Sequence, residues 1–410
     1  MLPLSQLPQK EGASRDPIHL LEGVRVLDLT TSIAGPYATL LLADFGASVI
    51  KVERRDGDDA RGWGPPFLAQ QSLWFLAVNR NKRSITLDFG TPQGRELLHA
   101  LVAQHDVVVT NQVGRSQRKL GIDYATLSAL RPGLVHVSIT GFGVQGERSD
   151  LPSYDLIAEG YSGVMDLTGE AGAPPQKVGT PAADLLSGMD AAMAVAAALY
   201  RRGIDGKGCA IDISMVESMT RFMAPRLVSF LGSGELPRRS GARDSVIAVY
   251  QTFDTQDAPI TLGLGNDGIW RRFWTAVGDP DYGANARFRS NKDRREARTE
   301  IVARIQSVLR QRKRKEWLDL FVQHRIPAGP INRLDEVAAD RELQARGMLY
   351  SVPAFNTRIP QVGLGIRVDD SSETYRAPPP GLGEHTDAVL RELLDLGEPQ
   401  LAKLREQHII

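Results

Sequence analysis

A single acid stands in a run of small and apolar residues at Gly179-Thr-Pro-Ala-Ala-Asp184-Leu-Leu-Ser-Gly188. A helical pattern follows at once, from Met189 to Tyr200, and ends in Arg201-Arg202-Gly203. Ala and Met favour a helix, Arg suits its last turn, and Gly203 can stop it. Asp184 is therefore expected at or just before the N-terminus of a buried helix. The partial positive charge there should keep its carboxylate ionised. An ionised carboxylate flanked by Gly179, Ala182 and Ala183 can attack an electrophile that comes close. Backbone N–H groups near the helix start would steady the oxyanion that forms. The plainer reading is an ordinary N-cap aspartate. Asp190 is a rival acid, but its place inside the helix pattern suits a solvated or paired role.

Other chemistries lack their motifs. There is no Walker loop, no H-E-x-x-H and no G-x-S-x-G elbow. Seven histidines are scattered without metal-ligand spacing, and no metal site is expected. His136 sits at a strand centre and reads as a packed core residue. The only cysteine is Cys209, which excludes a disulfide within the chain and fits a reducing cytoplasm. Gly141-Phe-Gly-Val-Gln-Gly146 matches G-x-G-x-x-G, yet Glu147-Arg-Ser-Asp-Leu-Pro follows it instead of an apolar helix. It is a weak dinucleotide signal, but a glycine loop after a parallel strand is still a place to bind a ligand. Arg54, Arg55, Lys82, Arg83 and Lys119 fall in loops after strands. Each alone reads as solvated charge. Together at one sheet edge they suit a polyphosphate.

These residues need a scaffold, and the hydrophobic periodicity supplies one. Val24–Leu29 and Ala47–Glu53 alternate as strands around a helical stretch from Ala38 to Phe45, a β-α-β unit that predicts a parallel sheet. Further strands are expected at Ser84–Asp88, Val107–Val109, Leu134–Thr140 and Lys207–Ser214, with helices over 93–104, 153–170 and 215–231. The class is α/β, with a parallel-sheet large domain and an inserted smaller α+β domain. The boundaries read as a loose tail over 1–18, a large domain over 19–225, a smaller domain with its linkers over 226–331, and a return segment over 332–410. Ile326-Pro-Ala-Gly-Pro-Ile331 reads as the rigid return linker. With 410 residues, 42% hydrophobic and 24% charged, the chain has ample core for two or three domains. A formal net charge of zero gives no global field toward nucleic acid or membrane. The apolar run at 191–200 is too short to cross a bilayer.

Several segments in order resemble the class III CoA-transferases, the group that contains formyl-CoA transferase and carnitine CoA-transferase. They are Gly23-Val-Arg-Val-Leu-Asp-Leu-Thr30, Ala34-Gly-Pro36, Gly46–Glu53, Asn79–Ser84, Gly141-Phe-Gly143, Gly179–Gly188, Gly329-Pro-Ile331 and Leu382-Gly-Glu-His-Thr386. The resemblance runs from about Leu21 to the C-terminus. It implies a Rossmann-like large domain, an inserted smaller domain and an interlocked homodimer. It implies that Asp184 is the nucleophile, that coenzyme A thioesters are substrates, and that no cofactor is held permanently. It places the CoA contacts on Ile33, Ala34, Arg54, Leu87, Asn111, Gln112, Val113, Lys119, Thr140, Gly141, Phe142 and Gly143. Formyl-CoA transferase has Gln where this chain has Ile33, Arg at Lys119, and Lys at Gly90 and Thr140. Its four-glycine loop over the active site corresponds to Gly241–Ile247 here, which is shorter and lacks the glycine run.

Two other functions compete with this one. The α-methylacyl-CoA racemases also resemble this chain, but their G-H-D motif is Ser153-Tyr-Asp155 here. Tyr154 then stands where a basic histidine would be, and a phenol is a poor base at neutral pH. A non-catalytic CoA-binding protein on the same fold is the second alternative, against which the intact Asp184 segment speaks. The acceptor is expected to be a dicarboxylate with a succinyl-CoA-type donor. Arg221, Arg226, Arg238, Arg239 and Arg243 are the candidates to pair a distal carboxylate.

Overall fold

The computed structural model describes residues 3–14 and 16–410. The chain forms two compact units. The larger is assembled from Met1–Gly163, Val178–Ala224 and Ala338–Ile410, the smaller from Val164–Lys177 and Pro225–Val337. Residues 164–177 thus leave the large domain to which the sequence reading gave them.

The larger unit is organised on a six-stranded parallel sheet. Its strands are β1 (Arg25–Asp28), β2 (Ser48–Glu53), β3 (Lys82–Thr86), β4 (Val107–Thr110), β5 (Val135–Thr140) and β6 (Cys209–Ser214). Their spatial order is β3-β2-β1-β4-β5-β6. The order reverses beside β1, so loops leaving β1 and β4 part and open a crevice at the carboxyl edge. Strands β4 and β5 are buried along their whole length, as the unbroken Val-rich runs predict for a sheet covered on both faces. Leu27, Ile50, Ile85 and Val108 from the sheet pack with Leu98 and Leu101 in one core. Each such side chain, fully buried, contributes about 1.5–3 kcal/mol.

Helix α1 (Ala34–Asp44) starts four residues earlier than the sequence pattern suggested. Gly35 and Pro36 lie in its first turn, where a missing N–H costs nothing. Helix α2 (Asp155–Ser162) ends at Gly163, whose φ of 82° is left-handed. Helix α3 spans Ala182–Asp205. Gly203 does not stop it; Gly206, at φ 71°, does. At 24 residues α3 is long and apolar enough to cross a membrane, contrary to the expectation from its shorter apolar run. One face of it is nevertheless committed to the core, through Ala183, Ser187, Gly188, Ala191 and Val195. Helix α4 (Met215–Phe222) follows β6.

Gly188 marks the closest approach of α3 to α1. A Cβ there would sit 2.7 Å from the Ala34 carbonyl oxygen and 3.0 Å from the Tyr37 ring. Gly188→Ala should gain up to about 1 kcal/mol of helix propensity. It should lose about 1–3 kcal/mol through overpacking against backbone that cannot yield. The expected net result, read by urea denaturation, is a less stable protein; a raised midpoint would refute the close packing.

Within the described residues, the N-terminal segment is not a loose tail; residues 1, 2 and 15 of it lie outside them. Pro8 and Lys10 exchange backbone hydrogen bonds with Ser351 at 2.8 and 2.9 Å, and the Ser14 amide donates to the Tyr375 carbonyl at 2.8 Å. The smaller unit carries β7 (Tyr250–Phe253), β8 (Ile260–Gly263) and β9 (Ala328–Pro330) as an antiparallel sheet. Its core is aromatic, with Trp270, Phe273, Trp274, Phe288, Trp317 and Phe321 buried together. The Pro/Gly segment read as a linker is β9, paired to β8. In the larger unit, β10 (Leu349–Ala354) and β11 (Thr357–Val362) form a hairpin with no counterpart in the sequence reading. Helices α5 (Thr386–Leu394) and α6 (Glu398–Glu406) close the chain.

Candidate active site

Asp184 occupies the third position of α3, and Pro181 takes the N-cap. The N-cap reading of Asp184 therefore fails. The cap is supplied from α2: Asp155 Oδ1 accepts from the Ala183 amide at 2.7 Å and from the Asp184 amide at 3.3 Å. One turn further along α2, the fully buried Glu159 accepts from the Val178 amide at 2.8 Å. Two acids spaced i and i+4 on one helix thus hold both ends of the segment that delivers Asp184. Asp190 is engaged elsewhere, accepting from Ser218 Oγ at 2.7 Å and pairing with Arg221.

The electrostatics of Asp184 depart from expectation. Burial, and then the neighbouring Asp155 carboxylate, push it up to about 7. The helix terminus does not keep it ionised, because Asp155 already occupies those amides and brings a negative charge with it. The same occupancy removes the Ala183 and Asp184 amides as the expected oxyanion donors. Among the described residues no donor is hydrogen-bonded to the Asp184 carboxylate. It is a partly buried acid poised near neutrality, the environment that tunes reactive carboxylates.

At the carboxyl edge of the sheet lies a cavity of about 270 Å³, lined by Leu29, Thr31, Arg54, Leu87 and Gln112 among others. Three residues expected to contact CoA, namely Arg54, Leu87 and Gln112, line it together, with Gly90 beside them. The others follow the same edge of the larger unit. Ile33 and Ala34 begin α1 with their side chains buried. Val113 caps the helix Gly114–Leu120, on which Lys119 is exposed outside the cavity lining. Thr140 ends β5, buried, with no partner for Oγ1 among the described residues. Gly141–Gly143 follow it, and the Phe142 ring meets Tyr161 edge-on at 5.0 Å. Gly143 has φ 86°, and Asp212 holds the next residue by accepting from the Val144 amide at 3.0 Å. No helix opens after this loop.

Two expectations about charge are corrected. Arg54 is not free: it donates to Asp59 at 2.6 Å, so a phosphate must share or displace that partner. The 79–83 cluster does not face the edge at all. Lys82 lies at the amino end of β3, buried, 3.1 Å from Asp28 and 2.8 Å from the Pro36 carbonyl. Arg80 is buried against Asp44, and Arg83 pairs with Glu392 at 2.6 Å. Burial alone would raise Asp28, but Lys82 and Lys51 hold it down to about 2. Burial pulls Lys82 down to about 8 against the attraction of Asp28. Arg80 and Lys82 knit the sheet to α1, and Arg83 ties it to α5. Four of the five candidates for a distal carboxylate are similarly engaged: Arg221 with Asp190, Arg226 with Asp244 at 2.7 Å, Arg239 with Asp166 at 3.0 Å, and Arg243 with the Ser240 carbonyl at 3.3 Å. Arg238 is exposed.

Sequence reasoning missed the roles of Asp155 and Glu159. Their signal was present as two acids four apart on a predicted helix, but nothing local says which amides they would reach.

A parallel sheet with a ligand crevice at its carboxyl edge and a tuned carboxylate at a helix start define an α/β fold equipped for nucleophilic or acid–base chemistry. The CoA-transferase family III profile matches residues 21–386, and the chain belongs to that family. It is similar to succinate–glutarate CoA-transferase of Agrobacterium fabrum, 37% identical over 91% of this chain and 95% of that one. It is similar also to succinyl-CoA:glutarate CoA-transferase of Mus musculus, 35% identical over 97% and 91% of the two chains. Among solved structures, a CAIB/BAIF family protein from Brucella suis superposes with TM-score 0.81 at 38% identity, over 92% of this chain and 99% of the other.

Proposed function

We propose that this CoA-transferase moves CoA from a succinyl-CoA-type donor to a free dicarboxylate of glutarate's size, with Asp184 as the nucleophile. The Asp184 carboxylate attacks the thioester carbonyl, giving a mixed anhydride and CoA thiolate. The thiolate attacks the aspartyl carbonyl of that anhydride, releasing the donor acid and leaving an aspartyl-CoA thioester. The acceptor carboxylate repeats the exchange in reverse, so CoA leaves on the acceptor and Asp184 is regenerated. One thioester replaces another, and no net energy input or bound cofactor is needed.

The observation that carries this reading is the tuned, partly buried Asp184 in a chain whose relatives act on succinate and glutarate. The carboxyl-edge cavity supports CoA binding along Ile33, Ala34, Arg54, Leu87, Asn111, Gln112, Val113, Lys119 and Thr140–Gly143. For Ile33, Ala34 and Asn111 the contact is through backbone, since their side chains are buried or bonded elsewhere. The exposed apolar side chains Met189, Met193, Tyr200 and Ile204 along α3 support a homodimer, interlocked as the family resemblance implies. A cytoplasmic setting fits the lone, unpaired Cys209.

A panel of acyl-CoA donors against free acids tests the substrate. Four- to six-carbon dicarboxylates should give kcat/KM at least about tenfold above monocarboxylates of equal length, the worth of one charge-assisted pair. A monocarboxylate that outruns every dicarboxylate sinks the substrate assignment while leaving the family intact.

A further inference from the structure

The turn between β1 and α1 is held by side chains from three other places in the chain. Lys51 Nζ, on β2, donates to the Thr30 carbonyl at 2.8 Å. Asn111, after β4, clamps Thr31 from both sides, accepting from its amide at 3.2 Å and donating to its carbonyl at 2.9 Å. Asp58, in the loop after β2, accepts from the Ser32 amide at 2.9 Å. The same Asp58 oxygen accepts from the Ala60 amide at 2.9 Å, so one carboxylate ties two loops together. Its other oxygen lies 2.8 Å from the Lys51 ammonium, an ion-pair contact at an angle outside hydrogen-bond geometry, with both side chains fully buried.

Ser32 has φ 70°, a left-handed conformation that a serine keeps only when its surroundings impose it. Thr31 and Arg54, one from each tied loop, line the carboxyl-edge cavity. Ile33 and Ala34, which begin α1, follow directly from Ser32. Lys51 and Asp58 thus lie directly behind the segments that carry Thr31 and Arg54, without lining the cavity themselves.

We propose that Lys51 and Asp58 are positioning residues for thioester binding, a buried latch that locks the Thr30–Ser32 turn to the Arg54–Gly62 loop. This rests on the reading of the edge cavity as the CoA site. Its energetic logic is preorganisation: a turn already held in the bound shape loses less freedom when the ligand arrives. A merely structural ion pair would affect folding alone, whereas the latch acts on CoA affinity ahead of acid affinity.

The test uses the full chain and CoA itself as probe. Amide exchange on the wild type should show CoA protecting residues 29–38. In Asp58→Ala, Asp28 and Glu53 remain beside Lys51 as counter-charges, so the ammonium is not stranded. That variant should bind CoA roughly tenfold or more weakly by calorimetry, exchange faster at 29–38, and keep its KM for the acid within about twofold. If Asp58→Ala does not fold, the charge-balanced Lys51→Met, Asp58→Asn double variant carries the same expectation. Unchanged CoA affinity in either folded variant overturns the latch, as do equal rises in both KM values. Absence of CoA protection at 29–38 in the wild type instead overturns the cavity assignment beneath it, and the two failures are told apart by that one measurement.

Discussion

Asp184→Ala should fold, bind CoA and transfer nothing. The loss is expected to exceed about 10³-fold, because nucleophilic catalysis has no partial substitute at this position. Asp155 cannot take over, since its Oδ1 is committed to the Ala183 and Asp184 amides. Asp190 cannot either, being bound to Ser218 and Arg221. Hydroxylamine added during turnover of the wild type should trap the acyl-enzyme as a hydroxamate on Asp184, located by peptide mass spectrometry. The fold should survive, since the carboxylate has no hydrogen-bond donor among the described residues to leave unpaired. Substantial activity in Asp184→Ala, or label on Asp155 or Asp190, would overturn the covalent mechanism.

Activity should depend steeply on pH in a range where most aspartates are silent. Burial and the Asp155 carboxylate raise Asp184 to about 7, and only its ionised form attacks. The value of kcat/KM for acyl-CoA should therefore climb about tenfold per pH unit up to about 7 and level above it. Asp155→Asn keeps an acceptor oxygen for the two amides but removes the charge, so the inflection should move to lower pH. The same shift has a consequence for stability, with the sign set by proton counting. Between the ordinary aspartate value and 7 the folded protein holds a proton that the unfolded chain has lost. Stability from this group therefore falls as pH rises through that window, and the cost is full above 7. Asp184→Asn should be the more stable protein at pH 8, by up to a ceiling of about 4 kcal/mol, with the gain vanishing toward pH 4. A flat rate profile between pH 5 and 8, or a destabilised Asp184→Asn at pH 8, would show that the acid is ionised in the free enzyme.

How much of this was legible in the sequence depended on how local the cause was. Strands β1, β2, β4 and β5 and helix α3 announce themselves by composition, because Val-rich runs and Ala-rich periodicity are properties of a short window. The hairpin of β10 and β11 did not. Its turn is Phe355-Asn356, both at positive φ, without the Asn-Gly or Asp-Gly that advertises such a turn. The 79–83 cluster misled for a related reason. Five polar residues in a row read as surface, and only the fold reveals Asp44, Asp28 and Glu392 waiting for them. Asp184 itself was found from its neighbours, yet its protonation was misjudged. A helix terminus stabilises a nearby anion, but which anion claims it is decided by α2, some thirty residues upstream. Short-range rules locate a reactive group; long-range contacts set its charge.

The three-part construction of the larger unit also sets a schedule for a chain emerging from the ribosome. By the time Val337 has been made, every residue of the smaller unit exists, and its aromatic core can close. The larger unit must wait. Its main core includes Val389, Leu404 and Ile409, and the Asp88 amide finds its acceptor only at the Ile409 carbonyl, 2.8 Å away. The His385 amide likewise completes the outer edge of β3 by donating to Ser84. Until those residues are released, the parallel sheet stands with one flank uncovered. A stop codon near position 400 would leave both units almost fully encoded, yet it would withdraw Leu404 and Ile409, which finish the core of the first half.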